Sequence, residues 1–310
     1  MPSSGHPPAK QMLAGRLDPS SPILIAMLTL IWLAALAWPR PLMLPDEGRY
    51  VGVAWEMVRS GDWSTPTLNG LPYFHKPPLF YWITAASITV FGPTDLAARA
   101  APLLGAWGGA MAVFLFLRHW LDGSFARLAL ITLATQPMFY IGAQFANLDM
   151  LVAGCITITV VLLAHAVLSI ERGRLARRAL AMAYAMAALG VLAKGLIGVV
   201  LPAMVIAVWL LPGKRWRSLL RLLWLPGALI FIAVGAPWFI AMQMRHDAFF
   251  DYFFIVQHLQ RFAAGGFNNV QPFWFYVAVL VLFTLPWIVW LRYLRRWGPV
   301  LQPLQRDLAR

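Results

Sequence analysis

The sequence has 310 residues, of which 60% are hydrophobic and only 12% charged, with a mean hydropathy of +0.68. About a quarter of the residues of a soluble domain are charged, so these values exclude one and indicate an integral membrane protein. The net charge of +13 would suggest nucleic acid as a partner of a soluble chain; its distribution along this one fits membrane topology better, and no nucleic-acid partner is expected.

Apolar runs of about 20 residues that do not alternate in hydrophobicity argue for a helical bundle and against an outer-membrane barrel. Residues 1–21 are rich in Pro, Ser and Gly and read as a disordered tail on the cytoplasmic side. Ala35-Leu36-Ala37 resembles a signal-peptide cleavage site, but the many apolar runs that follow argue for retention as a first span. The candidate apolar segments are 22–38, 78–91, 97–117, 125–142, 150–170, 178–193, 197–211, 219–242 and 273–291. Cys155 falls inside one of them, so a disulfide framework is excluded and a small buried hydrophobe is the simplest reading.

Segment 78–91 is bounded by Pro77-Pro78 and Gly92-Pro93. About 14 helical residues reach roughly 21 Å, short of a hydrocarbon core of about 30 Å. If this segment does not span, one side of the membrane collects 17 basic and 4 acidic residues and the other 8 and 8. If it does span, the basic connections divide between the two faces. The positive-inside rule therefore predicts eight spans, both termini cytoplasmic, a core over 22–291 and a basic cytoplasmic tail over 292–310. The loops 39–96 and 243–272 then lie at the outer face. Trp38, Trp209, Trp238 and Trp297 at span ends fit an interfacial belt.

That face gathers the polar residues. Asp46-Glu47 opens a helix running to about Ser60 and stopped by Gly61, with Val51, Ala54, Trp55 and Val58 as its apolar stripe, which suits an amphipathic helix on the membrane surface. Asp46 reads equally as an N-cap or as a carboxylate that orients or deprotonates an acceptor. His75-Lys76-Pro77-Pro78 places a cation at a helix start, where an intervening phosphate would be welcome; the plainer reading is a lysine snorkelling among Tyr73, Phe74 and Tyr81. Asp149 in Asn147-Leu148-Asp149 is either a helix cap or a site carboxylate. Lys194, set between apolar runs, either faces a polar cavity or snorkels to the boundary. The aromatic stretch 249–262 carries His258 and Arg261 and reads as a second surface helix. His75 and His258 together offer two ligands to a zinc-like divalent metal, the remaining positions falling to water or substrate. No Walker loop, dinucleotide glycine pattern, HExxH or cysteine pair is present.

Taken in combination, Asp46-Glu47 after the first span, Tyr73-Phe74-His75-Lys76-Pro77-Pro78-Leu79, Asp149, Leu192-Ala193-Lys194-Gly195, and His258 with Arg261-Phe262 resemble the aminoarabinose transferase branch of the polyprenyl-phosphate-dependent glycosyltransferases, which are similar to protein O-mannosyltransferases. The resemblance covers residues 20–290. It implies an all-α GT-C bundle in the bacterial inner membrane with its site facing the periplasm. The activity implied is transfer of a sugar from a polyprenyl (undecaprenyl) phosphate donor to a lipid A-type, other lipid or protein acceptor. By that correspondence Asp46 and Asp149 are the catalytic acids and Lys76 contacts the donor phosphate. Glu47, Tyr73, Tyr81, Lys194 and Arg261 complete the expected substrate-binding set. Where family members commonly carry Glu as a metal partner of the later histidine, this chain has His75. Family members also usually continue for several spans and an outer soluble domain, whereas this sequence ends at Arg310, so a partner subunit supplying further spans is one expectation. Two other classes remain in view: a transporter or flippase for a lipid-linked anion, which would call for internal repeats that the sequence does not show, and a non-catalytic paralogue that binds polyprenyl lipid.

Overall fold

The structure, a computed structural model, describes residues 21–260 and 271–292. It is helical apart from one two-residue ribbon. The helices are α1 (Pro22–Ala34), α2 (Asp46–Ser60), α3 (Leu79–Phe91), α4 (Asp95–Ala98), α5 (Ala100–Trp120), α6 (Gly123–Ala134), α7 (Pro137–Ala143) and α8 (Leu148–Glu171), followed by α9 (Arg177–Lys194), α10 (Ile197–Leu210), α11 (Trp216–Leu222), α12 (Leu225–Arg245) and α13 (Phe273–Thr284). A π-helical segment covers Asp251–Gln260 and a 3-10 turn covers Trp287–Trp290. Strands β1 (Thr67–Leu68) and β2 (Leu71–Pro72) pair antiparallel around Asn69-Gly70, both residues at positive φ, as a tight hairpin requires.

Local chemistry sets the boundaries. The residue before α6, Asp122, accepts from the backbone N–H of Ser124 and Phe125, both at 2.8 Å. Asn147, and not Asp149, caps α8 by accepting from Asp149 N at 3.0 Å. Asp46 is likewise no N-cap: Pro45 precedes the helix, and Asp46 and Glu47 both stand in its first turn, where negative charge is favoured. As expected, α2 ends at Gly61, at φ 73°.

Three of the anticipated segments are interrupted. The run 125–142 is two helices, because Pro137 cannot continue α6 and instead starts α7. The run 219–242 begins its long helix only at Leu225, after α11 has closed. Helix α13 stops at Thr284, ahead of Pro286. Among the described residues three helices, α5, α8 and α12, are both long and apolar enough to cross a bilayer. Helix α3, with 13 residues, reaches only about 20 Å.

The apolar stripe of α2 also differs from the expected one. Its buried residues are Glu47, Val53, Ala54 and Met57, with Tyr50 half-buried, whereas Trp55 is exposed. Glu47, Tyr50, Ala54 and Met57 follow the helical spacing i, i+3, i+7, i+10, and a template of apolar residues alone passes over a series that begins with a glutamate.

Helix α8 is the central element, packed between α5 and α9, with α10 also against it. Gly105 on α5 meets α8 so closely that a Cβ there would stand 2.5 Å from the Cα of Leu151 and the carbonyl of Met150; a Cβ at Gly154 would strike the Gly105 backbone. Gly190 and Gly198 make the same kind of contact between α9 and α10. Helices α2 and α3 pack across one end of this bundle through Val53, Met57, Phe80 and Tyr81 against Leu148, Leu151 and Ala193. At the other end Glu171 accepts from Arg215 and Ser218, and Arg172 lies 4.3 Å over the Trp120 ring. Overpacking a tight contact costs about 1–3 kcal/mol or more. Gly154→Val should therefore lower the thermal unfolding midpoint in detergent by several degrees, and an unchanged midpoint would show that the α5–α8 contact is looser than described.

Candidate active site

The site is built at the end of the bundle where α2 and α8 begin and α9 finishes. Its foundation is Glu47, whose carboxylate is fully buried. Arg99, also fully buried, donates from Nε to Oε1 at 2.9 Å and from Nη2 to Oε2 at 3.0 Å. Arg40 donates to the same carboxylate at 2.9 Å, and the backbone N–H groups of Met43 and Ala146 donate at 2.7 and 2.8 Å. Burial pushes the Glu47 carboxyl up, but the bonds from Arg99, Ala146, Arg40 and Met43 outweigh it and hold the group down at about 2. The expectation that Glu47 touches substrate is therefore corrected: its oxygens face inward and are occupied.

Asp46, the adjacent residue, points the other way. Its carboxylate is exposed and takes a 2.5 Å bond from Arg49, whose guanidinium lies 5.0 Å over the Tyr50 ring. Asp149, in the first turn of α8, pairs with Lys194, the last residue of α9. The antiparallel α8–α9 hairpin thus brings together two residues that are 45 positions apart. Burial raises the Tyr50 hydroxyl above its ordinary value; Arg49 opposes the shift, while Asp46 and Asp149 both add to it. Tyr73 is raised by burial too, Arg49 again opposing and Tyr50, Tyr252 and Asp46 adding. The two expected acids therefore act on one tyrosine hydroxyl from two different helices.

The β-ribbon leads into Tyr73, Phe74, His75 and Lys76. The His75 ring is 4.5 Å from Tyr73 and 6.0 Å from Tyr252 on the π-helical segment, and Phe74 packs on His246 and Phe249. Lys76 is half-buried just ahead of the first turn of α3. Tyr81 is fully buried in that helix, and among the described residues neither its hydroxyl nor the Nε of Arg49 has a hydrogen-bond partner. Arg261 lies outside the described residues, as does the side chain of His258. Among the described residues no group of three or more His, Cys, Asp or Glu side chains comes together, and His75 sits among tyrosine rings. The expected zinc-like pair of His75 and His258 has only its first member among the described side chains. A cavity of about 520 Å³ between α9, α10 and α12 is lined by Ala187, Val199, Ile206, Leu222 and Phe231, with Thr159 and Tyr184 as its polar members; it is mostly apolar and reaches toward α11 at the opposite end, away from these groups.

Sequence reasoning passed over Arg49, Tyr50, Tyr252, Arg40 and Arg99. The spacing of Arg49 three residues after Asp46 was a usable signal. Arg99, a lone charge at the start of a long apolar helix, was another, although nothing local names its partner.

This arrangement can be set beside known proteins. A family described as dolichyl-phosphate-mannose-protein mannosyltransferase matches residues 75–240, more than half of the chain. The chain belongs to this family. Undecaprenyl phosphate-alpha-4-amino-4-deoxy-L-arabinose arabinosyl transferase of Aeromonas hydrophila subsp. hydrophila is 34% identical over 255 residues, covering 80% of this chain and 45% of the relative. The protein of the same description from Pectobacterium carotovorum subsp. carotovorum is 32% identical over 283 residues, covering 89% and 50%. The crystal structure of ArnT from Cupriavidus metallidurans bound to undecaprenyl phosphate is similar with a TM-score of 0.78 at 28% identity, over 97% of this chain and 53% of that one; its apo state gives 0.75 at 27%, over 97% and 52%. The chain spans about half the length of the curated relatives it matches. The expected kinship of this mannosyltransferase-family member with the aminoarabinose transferase branch is borne out.

The low value at Glu47 sets a pH dependence. Its folded value of about 2 lies below the ordinary 4.5, so the stabilisation is complete above about pH 4.5 and is lost as pH falls toward 2. The shift corresponds to about 3 kcal/mol. Denaturant unfolding between pH 6 and pH 3 should show this loss in the wild-type chain, and Glu47→Gln should flatten that part of the profile.

Proposed function

We propose that this chain is the catalytic part of a glycosyltransferase that moves a sugar from a polyprenyl phosphate to an acceptor at the membrane surface. The observation that carries this reading is the convergence of Asp46 with Arg49 and of Asp149 with Lys194 around Tyr50 at one end of an apolar bundle. The names of the relatives support undecaprenyl phosphate as the carrier and an amino-arabinose-type sugar as the group moved. The acceptor is a lipid A-type glycolipid.

In the reaction an acceptor oxygen attacks the anomeric carbon, and the bond from that carbon to the phosphate oxygen breaks, its electron pair leaving with the polyprenyl phosphate. Phosphate is a good leaving group, so the step calls for a cation to receive negative charge more than for a general acid. Lys76, ahead of the α3 N-terminus, takes that role, and the helix terminus adds its partial positive charge. Asp46, held by Arg49, accepts the proton of a hydroxyl acceptor or orients a phosphate acceptor. Asp149, Lys194, Tyr73 and Tyr81 shape the sugar pocket, with Arg261 as a further donor to phosphate. The chain is read as eight spans with both termini cytoplasmic and the site facing the periplasm of a bacterial inner membrane.

Turnover of labelled polyprenyl-phosphate sugar by the purified chain tests the chemistry. With a hydroxyl acceptor Asp46→Asn should lose about 10²- to 10⁴-fold, and with a phosphate acceptor much less. Lys76→Ala should lose activity with either, and wild-type rates from both variants would refute the site. Reporter fusions at Gly92 and Gly123 test the topology: opposite sides are expected, and a shared side would sink the eight-span reading.

A further inference from the structure

We propose that Glu47 and Arg99 are the positioning pair of this site, a buried clamp whose task is to fix Asp46 relative to Asp149; the inference rests on the glycosyltransferase reading above. Arg99 spends its whole donor capacity. Nε and Nη2 hold Glu47, Nη1 donates to the carbonyls of Ala37 at 2.6 Å and Arg40 at 2.7 Å, and Nη2 also donates to that of Pro41 at 3.1 Å. Glu47 answers with both oxygens, each shared between Arg99, Arg40 and a backbone N–H. Arg40 then reaches the carbonyl of Gln144 at 2.7 Å.

These bonds join three stretches of chain that are remote in sequence: residues 37–47 between the exit of α1 and the start of α2, the junction of α4 with α5, and residues 144–146 ahead of α8. Both carboxylate-bearing helix starts leave from this node. Asp46 is the neighbour of Glu47, and Ala146, which donates to Glu47, stands three residues before Asp149. Well-packed apolar side chains could hold the same segments together without the cost of desolvating two charges. What a planar fork with five N–H groups adds is direction: each bond fixes an angle as well as a distance. Glu47 and Arg99 are accordingly positioning residues. They touch neither sugar nor phosphate and act on the reaction through the placement of Asp46 and Asp149.

The decisive comparison is Arg99→Lys, which keeps the charge and gives up the fork, beside Glu47→Gln, which keeps the shape and gives up the charge. Misplacement by about 1 Å is enough to cost roughly 100-fold in rate. Arg99→Lys chain that purifies as a folded monodisperse species should show kcat lowered about 10- to 100-fold with KM for the polyprenyl-phosphate donor within about twofold of wild type. Unaltered kcat per folded molecule overturns the proposal, as does a rise in KM with kcat intact. A second readout does not depend on turnover. Spin labels at the exposed positions Leu44, two residues before Asp46, and Leu196, two residues after the Lys194 that pairs with Asp149, in a Cys155→Ala background in nanodiscs report the separation of the α2 start from the α8–α9 end by pulsed electron resonance. Both variants should broaden or shift the wild-type distance distribution, and an unchanged distribution overturns the clamp. If the wild-type chain turns over no donor, the glycosyltransferase reading fails on its own account, while the distance measurement still decides whether Glu47 and Arg99 set this geometry.

Discussion

Backbone contact between glycines is the constraint on which the rest of this structure depends. Lipid tails are as apolar as leucine, so helices in a bilayer gain little from hiding hydrophobic surface and must gain from close packing. Gly105 against Gly154, and Gly190 against Gly198, let α5 meet α8 and α9 meet α10 at a separation no side chain would permit. These contacts tie α5 to α8 and α9 to α10, and a Cβ at Gly190 would also meet Cys155 of α8 at 3.4 Å, so the four helices form one unit. Once it is fixed, its ends are fixed too, and those ends carry Arg99, Asp149 and Lys194.

Polar groups are expensive inside such a unit, and the chain concentrates them at its ends. The buried node around Glu47 is acceptable because every donor of Arg99 has a partner. A few positions away the rule is broken. The Tyr81 hydroxyl, the Oγ1 of Thr84, the Nε of Arg49 and, at the edge of the node itself, the Nε2 of Gln144 are buried without hydrogen-bond partners among the described residues. Local violations of polar satisfaction cluster where a protein binds something else. Thr84 follows Tyr81 by three residues on α3, and the Tyr81 hydroxyl lies in the field of Tyr73, Tyr50 and Arg49, the groups that surround Asp46. The saturated node and its unsaturated neighbours together describe a rigid floor beneath an unfilled site.

Much of this was legible in the sequence, for identifiable reasons. The surface helix was bounded by an acidic first turn and by Gly61, and the shortness of α3 followed from the prolines and glycine at its ends. Pairing was less legible. Asp149 and Lys194 were each singled out, yet only the antiparallel packing of α8 on α9 makes them partners. Glu47 and Arg99 are 52 residues apart, and no local rule connects them. The charge of Glu47 also disguised the true core face of α2, and Pro137 carried a break that an apolar count smooths over.

Burial sorts the ion pairs of this end into fixed and exchangeable ones. Glu47 and Arg99 have no exposed side-chain surface, so no incoming group can compete for either. The carboxylates of Asp46 and Asp149 are 53% and 63% exposed, and pairs of that kind are worth only about 0–1 kcal/mol. On the glycosyltransferase reading proposed above, the donor phosphodiester carries one charge and gains a second as the polyprenyl phosphate departs, and the departing group can then take Lys194 or Arg49 from its partner at little cost. The carboxylate it releases is then available to a sugar or to an acceptor proton. Exchange on these terms works only if the released group stays where it was, since a freed side chain that wanders loses the orientation the reaction needs. The saturated node supplies the fixed backbone at both helix starts, and the weak pairs above it supply the groups that change hands.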